Sequence, residues 1–92
     1  MSTPTWVALG GGYAPTAIAV RGVLNVVNGA AMAAPNNNYG AYHSNANPPP
    51  VAVDISGAVN QVFYFILESG SIYWASNAST NTIGVLGWVD NI

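Results

Sequence analysis

Few side chains in this sequence are equipped for proton transfer, nucleophilic attack or metal binding. His43 is the sole imidazole, Asp54, Glu68 and Asp90 are the only carboxylic acids, Arg21 is the only cation, and cysteine is absent. A general base needs rigid placement and an orienting partner. His43 instead sits among Asn, Ser and Tyr in a Pro/Asn-rich stretch, so it is expected to be an exposed loop histidine. Its neighbour Ser44 has no nucleophile-elbow context. A glycosidase pair needs two carboxyls facing each other across a cleft. Glu68 borders a Ser69-Gly70 turn and Asp54 belongs to another strand, and both suit solvated positions that discourage edge pairing. No spacing among His43, Asp54, Glu68 and Asp90 suggests a metal site. The triplet Gly10–Gly12 would cradle phosphate only ahead of a helix, with a Lys or Ser/Thr at fixed spacing. Pro15 and strand-like sequence follow, so the triplet is expected to be a flexible turn. The sequence therefore predicts no enzyme, with no catalytic, cofactor-binding or metal-ligating residue.

Charge excludes further classes. The chain has 92 residues, of which 4% are charged and 51% are hydrophobic, against about 25% charged in an average globular protein. One arginine and no lysine leave no footprint for nucleic acid or an anionic membrane surface. Residues 14–34 are apolar enough to suggest a membrane span, but Arg21, Asn25, Asn28 and Gly29 interrupt them and the pattern alternates. The opening MSTPTWVALGGG has neither a basic region nor a long apolar core, so no secretory leader is expected. Polar duty falls to Ser, Thr and eleven asparagines. A surface so poor in charge tolerates close approach by copies of itself.

The elements that would position these residues are strands. Residues 61–76, QVFYFILESGSIYWAS, present two aromatic and branched runs around Ser69-Gly70, which predicts a tight hairpin pairing Leu67 with Ile72, Ile66 with Tyr73 and Phe65 with Trp74. Phe63, Phe65, Leu67, Ile72 and Trp74 then share one face, and Val62, Tyr64, Ile66 and Tyr73 the other. Both faces are apolar, unlike a sheet with one wet side. Residues 5–9 read as a short first strand and 16–27 as a long one, with Gly22 marking a bulge or bend. Asn28-Gly29 predicts a second hairpin, returning Ala30–Ala34 beside Val26 and Leu24. The small Ala31 and Ala33 leave room for the Phe63–Trp74 face. Helix is the alternative for 14–34, on intrinsic propensity. Val51–Ser56 is a strand, 57–60 a turn, 77–81 a polar turn and 83–89 the last strand.

Together these predict a single all-β domain over 1–92, a small antiparallel β-sandwich or open barrel of about six or seven strands, with a long Pro/Asn-rich loop at 35–50. The expected core is Ile18, Val20, Leu24, Val26, Val53, Ile55, Phe63, Phe65, Leu67, Ile72, Trp74 and Val85. The loop is either solvent-exposed or an arm across a neighbour, with Tyr39, Tyr42, Pro48, Pro49 and Pro50 as its contacts. Tyr64, Ile66 and Tyr73 are the expected contact surface of the sheet. With more apolar β-surface than one copy can hide, the chain is expected to act as a homo-oligomer, trimeric or larger, within a bigger protein assembly. A virion component such as a capsid decoration protein is the expectation; outside a virion, the cytoplasm is its place at synthesis. A lectin-like module is the alternative, its exposed Trp, Tyr and Asn stacking on a saccharide and binding its hydroxyls.

Overall fold

Alternation of branched and small residues makes strands wherever the sequence predicts them, but two of these run far longer than expected. The computed structural model describes residues 5–9, 16–40, 47–68 and 70–90, apart from the side chains of 55 and 56. Its strands are β1 (Val7–Leu9), β2 (Ala17–Ala34), β3 (Val51–Ile66), β4 (Ile72–Ser76) and β5 (Thr82–Asp90). All pair antiparallel in one open sheet, and no helix occurs among the described residues. The expected all-β architecture is the one observed.

β2 is the axis of the sheet. One of its edges pairs with β3 from Ala19–Ile66 to Ala33–Val51. The other edge is shared: Ala17–Asn25 pair with β5, and Ala31–Ala34 pair with β4, which in turn carries β1. A straight strand of 18 residues would span about 60 Å, yet the longest dimension is 41 Å. Moreover, Ile66 lies opposite Ala19 while Tyr73 lies opposite Ala34, and only five residues, six steps of the chain, separate Ile66 from Ile72. That link reaches about 20 Å at most, so β2 and β3 bend and bring the two ends of the sheet together.

The bend sits where β2 changes partner. The β2–β3 register shifts between Val26 and Asn28, and Gly29 and Gly57, with φ of 77° and 113°, take up a backbone shape that side chains resist. Between the β5 and β4 ladders, the backbone of Val27, Asn28 and Ala30 has no strand beside it. Two asparagines from the connection after β4 stand in. Asn81 Oδ1 accepts from both Val27 N–H (2.8 Å) and Asn28 N–H (3.3 Å), and its Nδ2 donates to the Asn28 carbonyl (3.0 Å) and to Ser76 Oγ (2.9 Å). Asn77 N–H donates to the Ala30 carbonyl (3.1 Å), and its Oδ1 accepts from Ala30 N–H (2.8 Å). A carboxamide offers an acceptor and a donor like a peptide group, so it can replace a missing strand. Asn81 is correspondingly buried, and a side chain at Gly29 would collide with Asn77 Oδ1.

One cluster fills the fold: Val20, Leu24 and Val26 from the first half of β2, Ala31 and Ala33 from the second, Phe63 and Phe65 from β3, and Ile72 from β4. Gly22 lets the Phe63 ring lie against the strand; a Cβ there would fall 2.5 Å from Phe63 Cζ and 2.8 Å from the Gly84 carbonyl. Val53, Leu67, Trp74 and Val85 pack against the cluster while half-buried. Ala30 to Ala34 are buried on both faces, so this half of β2 is covered twice.

Several local expectations are corrected. Asn28-Gly29 is not a hairpin: β2 runs through it, because its backbone finds partners in Asn77 and Asn81 instead of a returning strand. Ala31 and Ala33 do meet Phe63 and Phe65, by bending. Residues 57–60 are strand, since Gly57 bends β3 without ending it. No hairpin joins β3 to β4; Ile72 pairs with Leu9 and Trp74 with Val7 and Ala33, so the 67–71 segment crosses between the two ends of the sheet. Ile18 is exposed: the β2–β5 register shifts between Ala17 and Ala19 and leaves it without a partner on β5. Gly22 does adjoin an irregularity, the shift between Arg21 and Gly22. The side chain of Ile55 lies outside the described residues.

Asn81→Ala should lower the free energy of unfolding by about 2–3 kcal/mol, since three backbone groups lose their partner in a half-buried setting. The same change at exposed Asn37 should cost less than about 0.5 kcal/mol. Urea unfolding of both variants measures the difference; equal midpoints would remove Asn81 from its role.

Candidate functional site: the outer face of β5–β2–β3

In antiparallel pairs, residues opposite one another point to the same side of the sheet. The register therefore places Val89, Ala19 and Ile66 in one outward row, Gly87, Arg21 and Tyr64 in the next, and Gly84, Val23 and Val62 in a third. Their neighbours Val20, Gly22 and Leu24 point inward and are buried. Ile66 is 73% exposed, Tyr64 58% and Val62 48%. Val89 is also exposed, at the β5 side of the first row, where Ala19 between it and Ile66 is buried. Arg21 lies on this face, in a shallow notch of about 230 Å³ lined by Arg21, Tyr64, Gly87, Trp88 and Val89. Covering four of these aliphatic and aromatic side chains is worth roughly 1 kcal/mol each, about half the 1.5–3 kcal/mol of full burial.

The expected contact residues divide. Tyr64 and Ile66 lie together on this face. Tyr73 does not join them: it is half-buried on β4, opposite Ala8 and Ala34, on the far part of the sheet. Tyr39 is half-buried, and its carbonyl accepts from Trp6 Nε1 at 3.0 Å. Pro48 and Pro50 are exposed, and Pro49 is buried. Tyr42 and His43 lie outside the described residues. The described base of the loop is fastened within the chain. Gly40 N–H donates to the Asn47 carbonyl (2.8 Å), Asn47 Nδ2 to the Asn38 carbonyl (2.8 Å), and Asn36 Nδ2 to Glu68 Oε1 (3.0 Å). Sequence alternation already set Val62 beside Tyr64 and Ile66. Val89 and Trp88 were not legible as their neighbours, because that follows from the irregular β2–β5 register.

Among the described residues the acids do not come together as a reaction centre. Asp54 lies opposite Ala30, Asp90 opposite Ala17, and Glu68 follows β3; Asp90 Oδ1 accepts from Thr16 Oγ1 (3.1 Å). Among the described residues no three acids or histidines gather as metal ligands. Nor is any helix among them long and apolar enough to cross a membrane.

A larger cleft, about 560 Å³, opens between β1 and the 77–81 connection, beside Thr5, Trp74, Asn77 and Ser79. Three of its polar side chains are engaged within the fold. Asn77 and Asn81 hold β2, and Ser76 Oγ binds both the carbonyl (2.8 Å) and the N–H (3.2 Å) of Ala78. Comparison with protein-family models, curated proteins and solved structures gives no match.

Because Ser76, Asn77 and Asn81 in this cleft hold the fold, neutral mono- and oligosaccharides at millimolar concentration should leave the fluorescence of Trp6, Trp74 and Trp88 unchanged. A saturable change would restore the saccharide as a ligand.

Proposed function

We propose that this chain is a non-enzymatic structural subunit that works through protein–protein contact, its docking surface being the outer face of β5–β2–β3. The observation that carries this is the row of exposed apolar side chains Val62, Tyr64 and Ile66 on β3, with Val89 exposed on the same side of the three-stranded ladder. Large exposed apolar patches mark interaction sites. This one is lined by strands whose other side is the hydrophobic core, so it needs no rearrangement to bind. The near absence of charge supports the same reading, since little must be desolvated when such a surface is covered.

The partners we propose are further copies of the chain and a larger protein shell. A virus particle suits these properties: there a small, almost uncharged subunit is held at high local density against other protein, as a capsid decoration protein would be. Solubility as a free monomer then exerts little pressure for lysine and glutamate on the surface.

Ile66→Asp and Tyr64→Asp should each weaken self-association tenfold or more, because a carboxylate would be desolvated on docking. Both positions face solvent in the single subunit, so urea midpoints should shift by less than about 0.5 kcal/mol in stability. Sedimentation equilibrium measures the association; unchanged values in both variants would overturn the proposal.

A further inference from the structure

Resting on that reading, we propose that two copies of this chain join edge to edge through β3, antiparallel about a two-fold axis, forming one continuous sheet β5–β2–β3–β3–β2–β5. The argument begins with hydrogen-bond parity. Leu67 N–H donates to the Ile18 carbonyl at 2.8 Å, one step beyond the Ala19–Ile66 pair. In an antiparallel ladder hydrogen-bonded pairs alternate with non-bonded ones. The bonded pairs are therefore Val20 with Phe65, Gly22 with Phe63, Leu24 with Gln61 and Val26 with Val59. It follows that the N–H and C=O groups of Asn60, Val62, Tyr64 and Ile66 point away from β2. An independent contact agrees: Gln61 Nε2 donates to the Val62 carbonyl at 3.0 Å, an exposed bond that turns a side chain onto the open edge.

No strand covers that edge among the described residues, where β3 pairs with β2 alone. Open edges are usually guarded by charge, proline, a bulge or brevity. β1 is three residues long, and the β5 ladder is broken by two register shifts. The first half of β3 carries Asp54 and is set apart by the bend at Gly57. From 58 to 66 there is no charged residue and no proline, and the β2–β3 register is regular.

The occupant with matching properties is β3 of a second copy. An antiparallel strand paired with itself sets outward-pointing residue against outward-pointing residue, and the isologous contact closes as a dimer. Centring on Tyr64 sets Tyr64 against its own copy, Val62 against Ile66, and Asn60 against Glu68. The exposed apolar residues of both copies then form a single stripe on one side of the sheet. No like charges oppose one another, since the only acid brought to the seam faces a neutral amide. An edge of this length covers less than the ~800 Å² per partner of a standard interface, so the pairing should vary with concentration between roughly 10 µM and 1 mM.

Amide hydrogen exchange of the unmodified chain, followed by NMR at the two ends of that range, tests this directly. The amides of Asn60, Val62, Tyr64 and Ile66 should exchange at least tenfold more slowly at the higher concentration. Those of Gln61, Phe63 and Phe65, already bonded to β2, should not change. Equal exchange of the first group at both concentrations would overturn the proposal. Val62→Pro removes only an outward donor, so it should leave a folded monomer, whereas Gln61→Pro, one residue earlier, should unfold the chain. Because cysteine is absent, Tyr64→Cys should give a disulfide-linked dimer on mild oxidation, as bonded antiparallel partners lie about 5.5 Å apart; failure to link would exclude this register. If Val62→Pro still associates like the parent while Ile66→Asp does not, the copies meet through the outer face and the edge pairing is wrong. The reverse result would keep the edge and remove the face.

Discussion

The fold depends on how one strand survives losing its neighbour. β2 is paired on one side throughout, but on the other it passes from β5 to β4, and between them its backbone would be bare. Each half-buried peptide group left without a partner costs about 1–3 kcal/mol, a large share of the 5–15 kcal/mol that holds a domain together. Asn81 and Asn77 meet that requirement with side-chain amides, binding Val27, Asn28 and Ala30 as a strand would. Opposite them the β2–β3 ladder carries its extra residue on β3, three steps from Ser56 to Val59 against two from Val26 to Asn28. Bend and bonding are one feature, and Gly29 is required by both.

From that bend follows the distribution of apolar surface. Because β2 and β3 fold over, a single sheet supplies both walls of its own core, and the second half of β2 is buried on both sides. The first half is covered on one side only. Its outer face, with Ile66, Tyr64 and Val62 at the β3 edge, is where the chain has apolar material left over. Neutral amides do most of the described polar work inside the fold and around its loop base, where the Glu68 carboxylate also accepts from Asn36, consistent with a composition of eleven asparagines and four charged residues.

Alternation of side chains made much of this legible in advance. Phe63, Phe65, Ile72, Leu24, Val26 and Val20 were expected inside and are there; Tyr64 and Ile66 were expected to face outward together, and do. Gly22 was recognised as an irregular position. What went astray were the turns. Asn28-Gly29 and Gly57 carry the chemistry of a reversal, and Gly29 and Gly57 do take positive φ, but a bulge and a bend call for the same freedom. Local sequence does not distinguish a glycine that reverses a strand from one that lets it curve. Tyr73, grouped with Tyr64 on the assumption of a hairpin, went to another part of the sheet for the same reason.

Period-two patterning, nearly absent charge and the lack of cysteine belong to the sequence alone, because each depends on residue type and close spacing. Strand partners, the bend and the role of Asn77 and Asn81 do not. Those two asparagines stand in a stretch that reads as an ordinary polar turn, and they acquire their function from backbone groups about fifty residues earlier. Such a match exists only once the chain has folded, since it is made between peptide groups that carry no side-chain signature. Which apolar face stays open was decided in the same way, by how far the sheet curls before its own core is closed.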